Sequence, residues 1–455
     1  MSTKQKNITP TQIIILGFLI PIAIGTLLLM LPAANQRPIS FMDAAFTSVT
    51  ATTTTGLTTV TLSEQFSLFG QIIILLLMQI GGLGFMVYVS IILMALGKKI
   101  SLKERILINQ SLNQKSLKGM VKLTQKVFVH TLIFELVGAL LMSIEFIPAY
   151  GFGKGIFYSL FHAVSAFCNA GLNIMPADMG RIQFMNITFI SFAIFALSLI
   201  GATGFFVWDD IETCFAEGRK KHYSLSKIIS KFSVQTKIVL TFQIIFMIFG
   251  TLFFFGLEYD NTLARLPVGT KISGSFLHAM QASTSGMTTI DMHQLRAPTK
   301  LLVMIMMAIG GAPGSTAGGI KTVTVFVIFA SVFYSLIGKK HVRIYGREIP
   351  KDTVERSFVI LTVTLVTILI SAGIMLSVEP HSPTIDLMFD CVSAWGTVGL
   401  STGIPVVATV LTQWILMLLM FIGRVGTITM AVLFVVDKPK NEDPIRYSEE
   451  NVMIG

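Results

Sequence analysis

The sequence predicts an all-α integral membrane protein. Its plan is four pseudo-fourfold repeats of helix–re-entrant pore loop–helix, giving eight transmembrane helices around one central pore. Three observations predict this. Only 13% of the residues are charged and 53% are hydrophobic, against roughly 25% charged in soluble domains. Apolar runs recur at 13–31, 72–96, 192–208, 238–255, 301–308 with 322–337, 358–376 and 406–436, and runs of roughly 18 or more apolar residues span a bilayer. Finally, one short glycine-centred segment returns four times at nearly constant spacing.

The four segments are Thr53-Thr54-Thr55-Gly56, Cys168-Asn169-Ala170-Gly171, Ser283-Thr284-Ser285-Gly286 and Gly396-Thr397-Val398-Gly399. Their last glycines stand 115, 115 and 113 residues apart. Ten residues before each lies a phenylalanine: Phe46, Phe161, Phe276 and Phe389. Two residues after each lies a small polar residue: Thr58, Asn173, Thr288 and Ser401. A second echo follows 24 to 30 residues on, as Ile80-Gly81-Gly82, Ile200-Gly201-Ala202, Ile309-Gly310-Gly311 and Ile422-Gly423-Arg424. Glycines scattered at helix contacts would not reproduce this period.

Each repeat therefore reads as a long apolar helix, a short segment ending in the strip, and a second long apolar helix. A segment too short to span must enter and return from one side. Non-helical backbone at membrane depth survives only where protein or water covers it, so the four strips are expected to face one another. The repeats occupy residues 13–97, 127–208, 238–338 and 357–436. Between them lie segments 98–126, 209–237 and 339–356. Lys98 to Lys126 holds eight Lys/Arg against one acid; Arg219 to Lys237 holds six against none; Lys339 to Arg356 holds six against three. Short basic loops stay in the cytoplasm, so the N-terminus (1–12) and the tail (437–455) are expected inside a multi-pass plasma-membrane protein. The first apolar stretch is long for a signal h-region and reads as a retained helix. The net charge of +10 is absorbed by these loops, and no nucleic-acid signature accompanies it. Three cysteines, Cys168, Cys214 and Cys391, give neither a disulfide framework nor metal-site spacing.

The strips suit one chemistry. A cation crossing lipid must exchange hydration water for oxygen ligands, which rings of backbone carbonyls supply. Glycine permits the backbone that aims carbonyls at an axis, and hydroxylic or small neighbours fit around it. No strip carries Asp or Glu beside its glycine, which favours a monovalent ion, K⁺, at these residues over a carboxylate-lined divalent site. No covalent cofactor is expected. Paired acids, a His-Glu-x-x-His helix or a Ser/His pair are missing from the sequence, so no enzyme chemistry is expected.

Residues 301–338 would overrun a bilayer as one straight helix, yet 308–319 contains five glycines and a proline. Such a run cannot remain helical, and it should break the helix near mid-membrane as in transporters. Residues 314–322 superficially match a phosphate-binding loop, but Ile320 interrupts the motif and no strand precedes it. Arg424 lies 13 positions before Asp437, or roughly 20 Å up the helix. A cation so deep costs at least ~2.5 kcal/mol and marks a pathway, so Arg424 is expected below the fourth strip, limiting cation flow. Glu135 and His130 are weaker candidates for a coupled Na⁺ or proton.

Strips and loop together resemble the Ktr/Trk and HKT superfamily of potassium transporters over essentially the whole chain. The most specific stretch is Ile309-Gly310-Gly311-Ala312-Pro313-Gly314-Ser315-Thr316-Ala317-Gly318-Gly319-Ile320-Lys321-Thr322. Eight spans rather than ten make the resemblance closest to the membrane subunit of Ktr systems (KtrB/KtrD type). The resemblance implies that residues 309–320, with Lys321 and Arg424, form an intramembrane gate. It implies a homodimer with one pore per protomer. It also implies a cytosolic ring of nucleotide-binding subunits (KtrA/KtrC type) docked near 98–126 and 219–237. No loop of the chain is long enough to fold such a domain itself. The alternative keeps the fold and assigns Na⁺, or Na⁺ with K⁺, as the transported or coupling ion. A serine in place of the first strip glycine marks Na⁺-selective plant relatives, and Gly56 is present here.

Overall fold

In the computed structural model, residues 10–84, 87, 90, 120–175, 189–283, 285–287, 290–339 and 341–426 are described. The first basic segment over 98–119, both chain ends, and Thr284 and Thr288 of the third strip lie outside them.

Among the described residues, four helices are long and apolar enough to cross a membrane: α1 (Pro10–Leu29), α5 (Met120–Tyr150), α10 (Val234–Glu258) and α14 (Lys351–Val378). Each opens one of the four segments that the sequence marks as repeats. Their outward faces are apolar, as at Ile244, Ile248 and Leu252 of α10, all more than half exposed. Such a stripe is costly in water and natural against lipid tails. Each is followed by a short helix of 13 to 16 residues: α2 (Phe41–Thr53), α6 (Phe152–Phe167), α11 (Val268–Ser283) and α15 (Thr384–Gly396). The connection after α2 contains the one-turn helix α3 (Leu62–Gln65); that after α15 contains α16 (Ile404–Val407).

The second helix of each repeat departs from expectation. The sequence implies one broken helix, in repeat three; the structure interrupts all four helices near the echo glycines, three of them two residues after Gly81, Gly201 and Gly423 and that of repeat three two residues before Gly310. They are α4 (Leu68–Leu83), α7 (Phe189–Thr203), α12 (Ala297–Ala308) and α17 (Val410–Val425). The first, second and fourth stop at Gly84, Gly204 and Gly426. Those glycines share one backbone conformation, φ 80–98° and ψ 135–143°, which a side chain would forbid. Each stands three residues after an echo glycine, so the break belongs to the repeat. After Gly204 the chain turns by 90° into α8 (Phe205–Lys220), so 205–208 leaves the span that the sequence assigns to it. In repeat three the helix resumes as α13 (Thr322–Leu336). Among the described residues, by length and composition alone, the four opening helices qualify as spans, five if the bent pair counts.

Outside the bundle, α9 (Leu225–Ser230) precedes α10. An unforeseen antiparallel hairpin, β1 (Arg343–Ile344) and β2 (Arg347–Glu348), precedes α14. Its two-residue turn places Tyr345 and Gly346 at positive φ, the mirror-image turn that suits hairpin twist. Ile344 anchors it against Ile238 and Val327.

Packing is cyclic. Each second helix lies against the short helix of its own repeat and that of the next: α4 on α2 and α6, α7 on α6 and α11, α12 on α11 and α15, α17 on α15 and α2. The last contact closes the ring. Two large cores, one around repeats one and two and the other mainly around repeats three and four, enclose the short helices. Phe46, Phe161 and Phe389 are fully buried there. The fourth phenylalanine, Phe276, is only half-buried and meets Phe195 in a tilted ring contact at 5.0 Å between ring centres.

Candidate functional site

The strips begin where the short helices end. Thr53, Ser283 and Gly396 are the last helical residues of α2, α11 and α15, and Cys168 caps α6. The next residue turns left-handed in the three strips where it is described: Thr54 (φ 53°), Asn169 (φ 54°) and Thr397 (φ 51°). The backbone amide after it closes the helix end alike, Thr55 to the Thr50 carbonyl at 2.9 Å, Ala170 to Ser165 at 2.8 Å and Val398 to Ser393 at 3.0 Å. Gly286 reaches the Gln281 carbonyl at 3.1 Å in the third strip. The four glycines Gly56, Gly171, Gly286 and Gly399 again have positive φ. Alternating positive with ordinary φ turns successive carbonyls toward one side, where an ordinary strand would alternate them.

These turns touch one another in order. A side chain on Gly56 would run into the Ala170 carbonyl oxygen, one on Gly171 into that of Ser285, one on Gly286 into that of Val398, and one on Gly399 into that of Thr55. The residue before each strip glycine therefore presents its carbonyl to the glycine of the preceding repeat, and the circle closes. Thr55, Ala170, Ser285 and Val398 are fully buried. The C-terminal ends of all four short helices converge here, and each contributes roughly half a negative charge. The arrangement gathers oxygens and partial negative charge without one carboxylate, which suits a singly charged cation.

Sequence reasoning missed the hydroxyls six residues before the glycines. Thr50 and Ser393 accept hydrogen bonds from the Gly56 and Gly399 amides at 2.9 and 3.1 Å. Ser165 donates instead to the Leu172 carbonyl at 2.8 Å. The recurrence of Thr or Ser there is visible in three strips; Met280 interrupts it in the third. The echo glycines also acquire a reason. A side chain on Gly81, Gly201 or Gly423 would strike the carbonyl of Thr52, Phe167 or Trp395, the residue four before the strip glycine in each case. They let each second helix support its own strip.

The loop between α12 and α13 folds beneath this ring. Gly310 donates to Ile320, Ile320 to Ala308 and Thr322 to Gly311, all backbone bonds of 3.0–3.1 Å. Lys321 Nζ donates to the Ala317 carbonyl at 2.6 Å. Repeat two holds the other side: Ala312 donates to the Ala202 carbonyl at 2.9 Å, Thr316 to Gly201 at 3.2 Å, and Phe205 to the Gly314 carbonyl at 3.0 Å. Pro313 lies against Gly204, and the Ser315 hydroxyl faces Gly311. Two contacts reach the strips. Asn169 Nδ2 donates to Thr316 Oγ1 at 2.7 Å, and Gly318 packs under the Thr397 side chain, with Gly319 beside Gly310. Arg424 completes the cluster: its guanidinium donates to the carbonyls of Thr316, Gly81 and Gly82. One half-buried cation thus joins the second helices of repeats four and one to the loop. His130 stands apart, beside Phe134 and near the basic end of α5.

Comparison with known proteins agrees with this architecture. The chain is 36% identical to the Ktr system potassium uptake protein B of Bacillus subtilis, over 99% of this chain and 98% of that protein. It is 33% identical to the potassium/sodium uptake protein NtpJ of Enterococcus hirae, over 99% and 98%. The solved potassium transporter TrkH from Vibrio parahaemolyticus shares the fold, with a TM-score of 0.73 at 17% identity over 96% of this chain and 87% of that one. A family model described as TrkH, cation transport protein, matches residues 2–443. The chain belongs to the TrkH family of cation transport proteins.

Proposed function

We propose that this protein is the K⁺-translocating subunit of a Ktr-type potassium uptake system. K⁺ sheds its water at the ring of strips, where the carbonyls of Thr55, Ala170, Ser285 and Val398 and their neighbours replace it. The observation that carries this reading is the closed circle in which each strip glycine abuts the carbonyl of the next repeat. The cyclic packing of second helices on short helices supports four pseudo-equivalent repeats around one pore, with re-entrant strips opening outward and both termini in the cytoplasm. The 309–321 loop and Arg424 form the gate below the ring. A separate cytosolic nucleotide-binding subunit moves that loop, and two copies of the chain associate with one pore each. Relatives named for Ktr uptake proteins B and D support this assignment of partners.

A second reading assigns Na⁺, alone or with K⁺, to the same pore. It is favoured by one relative's name as a potassium/sodium uptake protein and opposed by the intact Gly56.

Flux of Rb⁺ and Na⁺ into liposomes holding the purified protein, with and without its regulatory partner, separates the readings. K⁺-like selectivity that collapses in Gly56→Ser supports the carbonyl filter. Equal Rb⁺ and Na⁺ flux in the wild type would favour the second reading, and silence even with the partner present would remove the transport assignment.

A further inference from the structure

The second strip is held from behind by polar side chains that have no counterpart, among the described residues, at the first residue of the other strips. Glu135, in the middle of α5, is only 3% exposed. Its Oε2 accepts a 2.8 Å hydrogen bond from Gln79 Nε2, on α4 of the preceding repeat. The same amide turns its oxygen to Cys168: the sulfur lies 3.5 Å from Gln79 Oε1 and 3.9 Å from Glu135 Oε1. Cys168 is the first residue of the second strip. Its counterparts are served locally or not at all. Thr53 Oγ1 donates to the Val49 carbonyl at 2.8 Å, Ser283 Oγ to Met280 at 2.8 Å, and Gly396 has no side chain.

The opposite side of the same strip is tied to the loop. Asn169 Nδ2 donates to Thr316 Oγ1, which in turn donates to the Phe167 carbonyl at 2.9 Å. Residues 167–169 are thus bonded to a segment that must rearrange if it is a gate; on the far side stand Gln79 with Glu135 at Cys168 and the Phe134 ring stacked on Phe167. A carbonyl ring separates ions of similar size only while its oxygens keep their number and spacing. A strip pulled by a moving loop needs a counter-hold. Gln79 is well placed for this, since the next two residues but one, Gly81 and Gly82, carry the carbonyls that Arg424 grips.

We propose that Glu135 and Gln79 are positioning residues that fix the second filter strip through Cys168, and that this brace sets the preference for K⁺ over Na⁺. Neither residue touches the ion. The inference rests on the pore reading above.

The test is the ratio of Rb⁺ to Na⁺ flux in liposomes for the wild type, Glu135→Ala, Glu135→Gln and Cys168→Ala, each checked for monodispersity. Glu135→Ala is expected to lower the ratio about fivefold, as loss of a buried hydrogen bond allows, chiefly by raising Na⁺ flux while maximal Rb⁺ flux persists. Glu135→Gln keeps an amide for Gln79 to pair with and should hold the ratio within about twofold of wild type. Cys168→Ala, which leaves the Glu135–Gln79 bond in place, should repeat the loss; it decides the matter if Glu135→Ala does not fold. A selective wild type with unchanged ratios in both alanine variants would overturn the brace, as would a glutamine variant as poor as the alanine. A wild type without K⁺ preference would overturn the pore reading instead, and the brace with it.

Discussion

Arg424 shows how much one side chain can do in this molecule. Its guanidinium satisfies three backbone carbonyls, one on the loop and two at the end of α4, so a deep charge is solvated by dipoles without a carboxylate. On the pore reading proposed above, the remaining positive field would act on a cation passing the ring. At roughly 10 Å and an effective dielectric of ~20, one unit charge repels another by about 1.7 kcal/mol, on the order of tenfold in occupancy. Arg424→Ala is therefore expected to raise Rb⁺ flux by about that factor and to weaken its dependence on the regulatory partner. Flux and regulation both unchanged would exclude the role. Glu379, just past the end of α14, is a quieter case. Burial pushes its carboxyl up, but hydrogen bonds from the Thr409 amide (2.7 Å) and from the Thr409 and Thr412 hydroxyls outweigh this and hold it below the ordinary carboxylate range. A carboxyl depressed in the folded state adds stability above its unfolded value, near ~4.3, and loses it as pH falls through the folded value. Thermal unfolding in detergent should lose this increment below about pH 4.3, and Glu379→Gln should flatten that part of the profile.

At the scale of elements, the common break in the second helices is the governing feature. Gly204 combines a backbone that L-residues avoid (φ 87°) with a carbonyl, that of Pro313, 2.9 Å from where a Cβ would sit. Gly204→Ala should cost about 1–3 kcal/mol and disturb the loop as well as the helix. Gly256, exposed near the end of α10 with open space around it, is the control: alanine there should stabilise by about 0.5–1 kcal/mol through helix propensity. Melting temperatures of the two variants in one detergent test both signs at once. If Gly204→Ala melts like the wild type, the break does not depend on glycine.

For the whole molecule, the repeats must hold their register around the ring although they share no disulfide. One clamp is a buried ion pair between repeats three and four. Lys300, near the start of α12, places Nζ 2.6 Å from Asp386 in the first turn of α15, and both side chains are almost fully enclosed. Removing Asp386 strands the Lys300 charge, and removing Lys300 leaves Asp386 with the exposed His293, whose Nδ1 is 3.3 Å away; each loss should cost up to about 3–5 kcal/mol, whereas an apolar pair of similar volume is often neutral. Lys300→Met and Asp386→Leu are each expected to melt well below wild type. The double variant should recover most of the loss, and a double as poor as the sum would show that the pair is not coupled.

The sequence by itself determined the repeat, because period, phenylalanine and glycine recur along the chain and need no neighbour to be seen. It also marked the loop at 309–321, where glycine and proline density exceeds what a helix tolerates, and Arg424, whose cost in lipid makes it conspicuous. The matching breaks at Gly84, Gly204 and Gly426 were less legible: a single glycine in an apolar run reads as a helix contact until φ and ψ are known. Thr50, Ser165 and Ser393 were hidden for a related reason, since a hydroxyl within a short helix acquires a role only when the chain turns back over it. Only the tertiary structure decided which carbonyl meets which glycine, and that Glu135 and Gln79 reach Cys168 across 33 and 89 positions. Local pattern reports the conformation each residue prefers. The partner of a buried polar group is chosen by the closure of the ring, which brings together groups far apart in the chain.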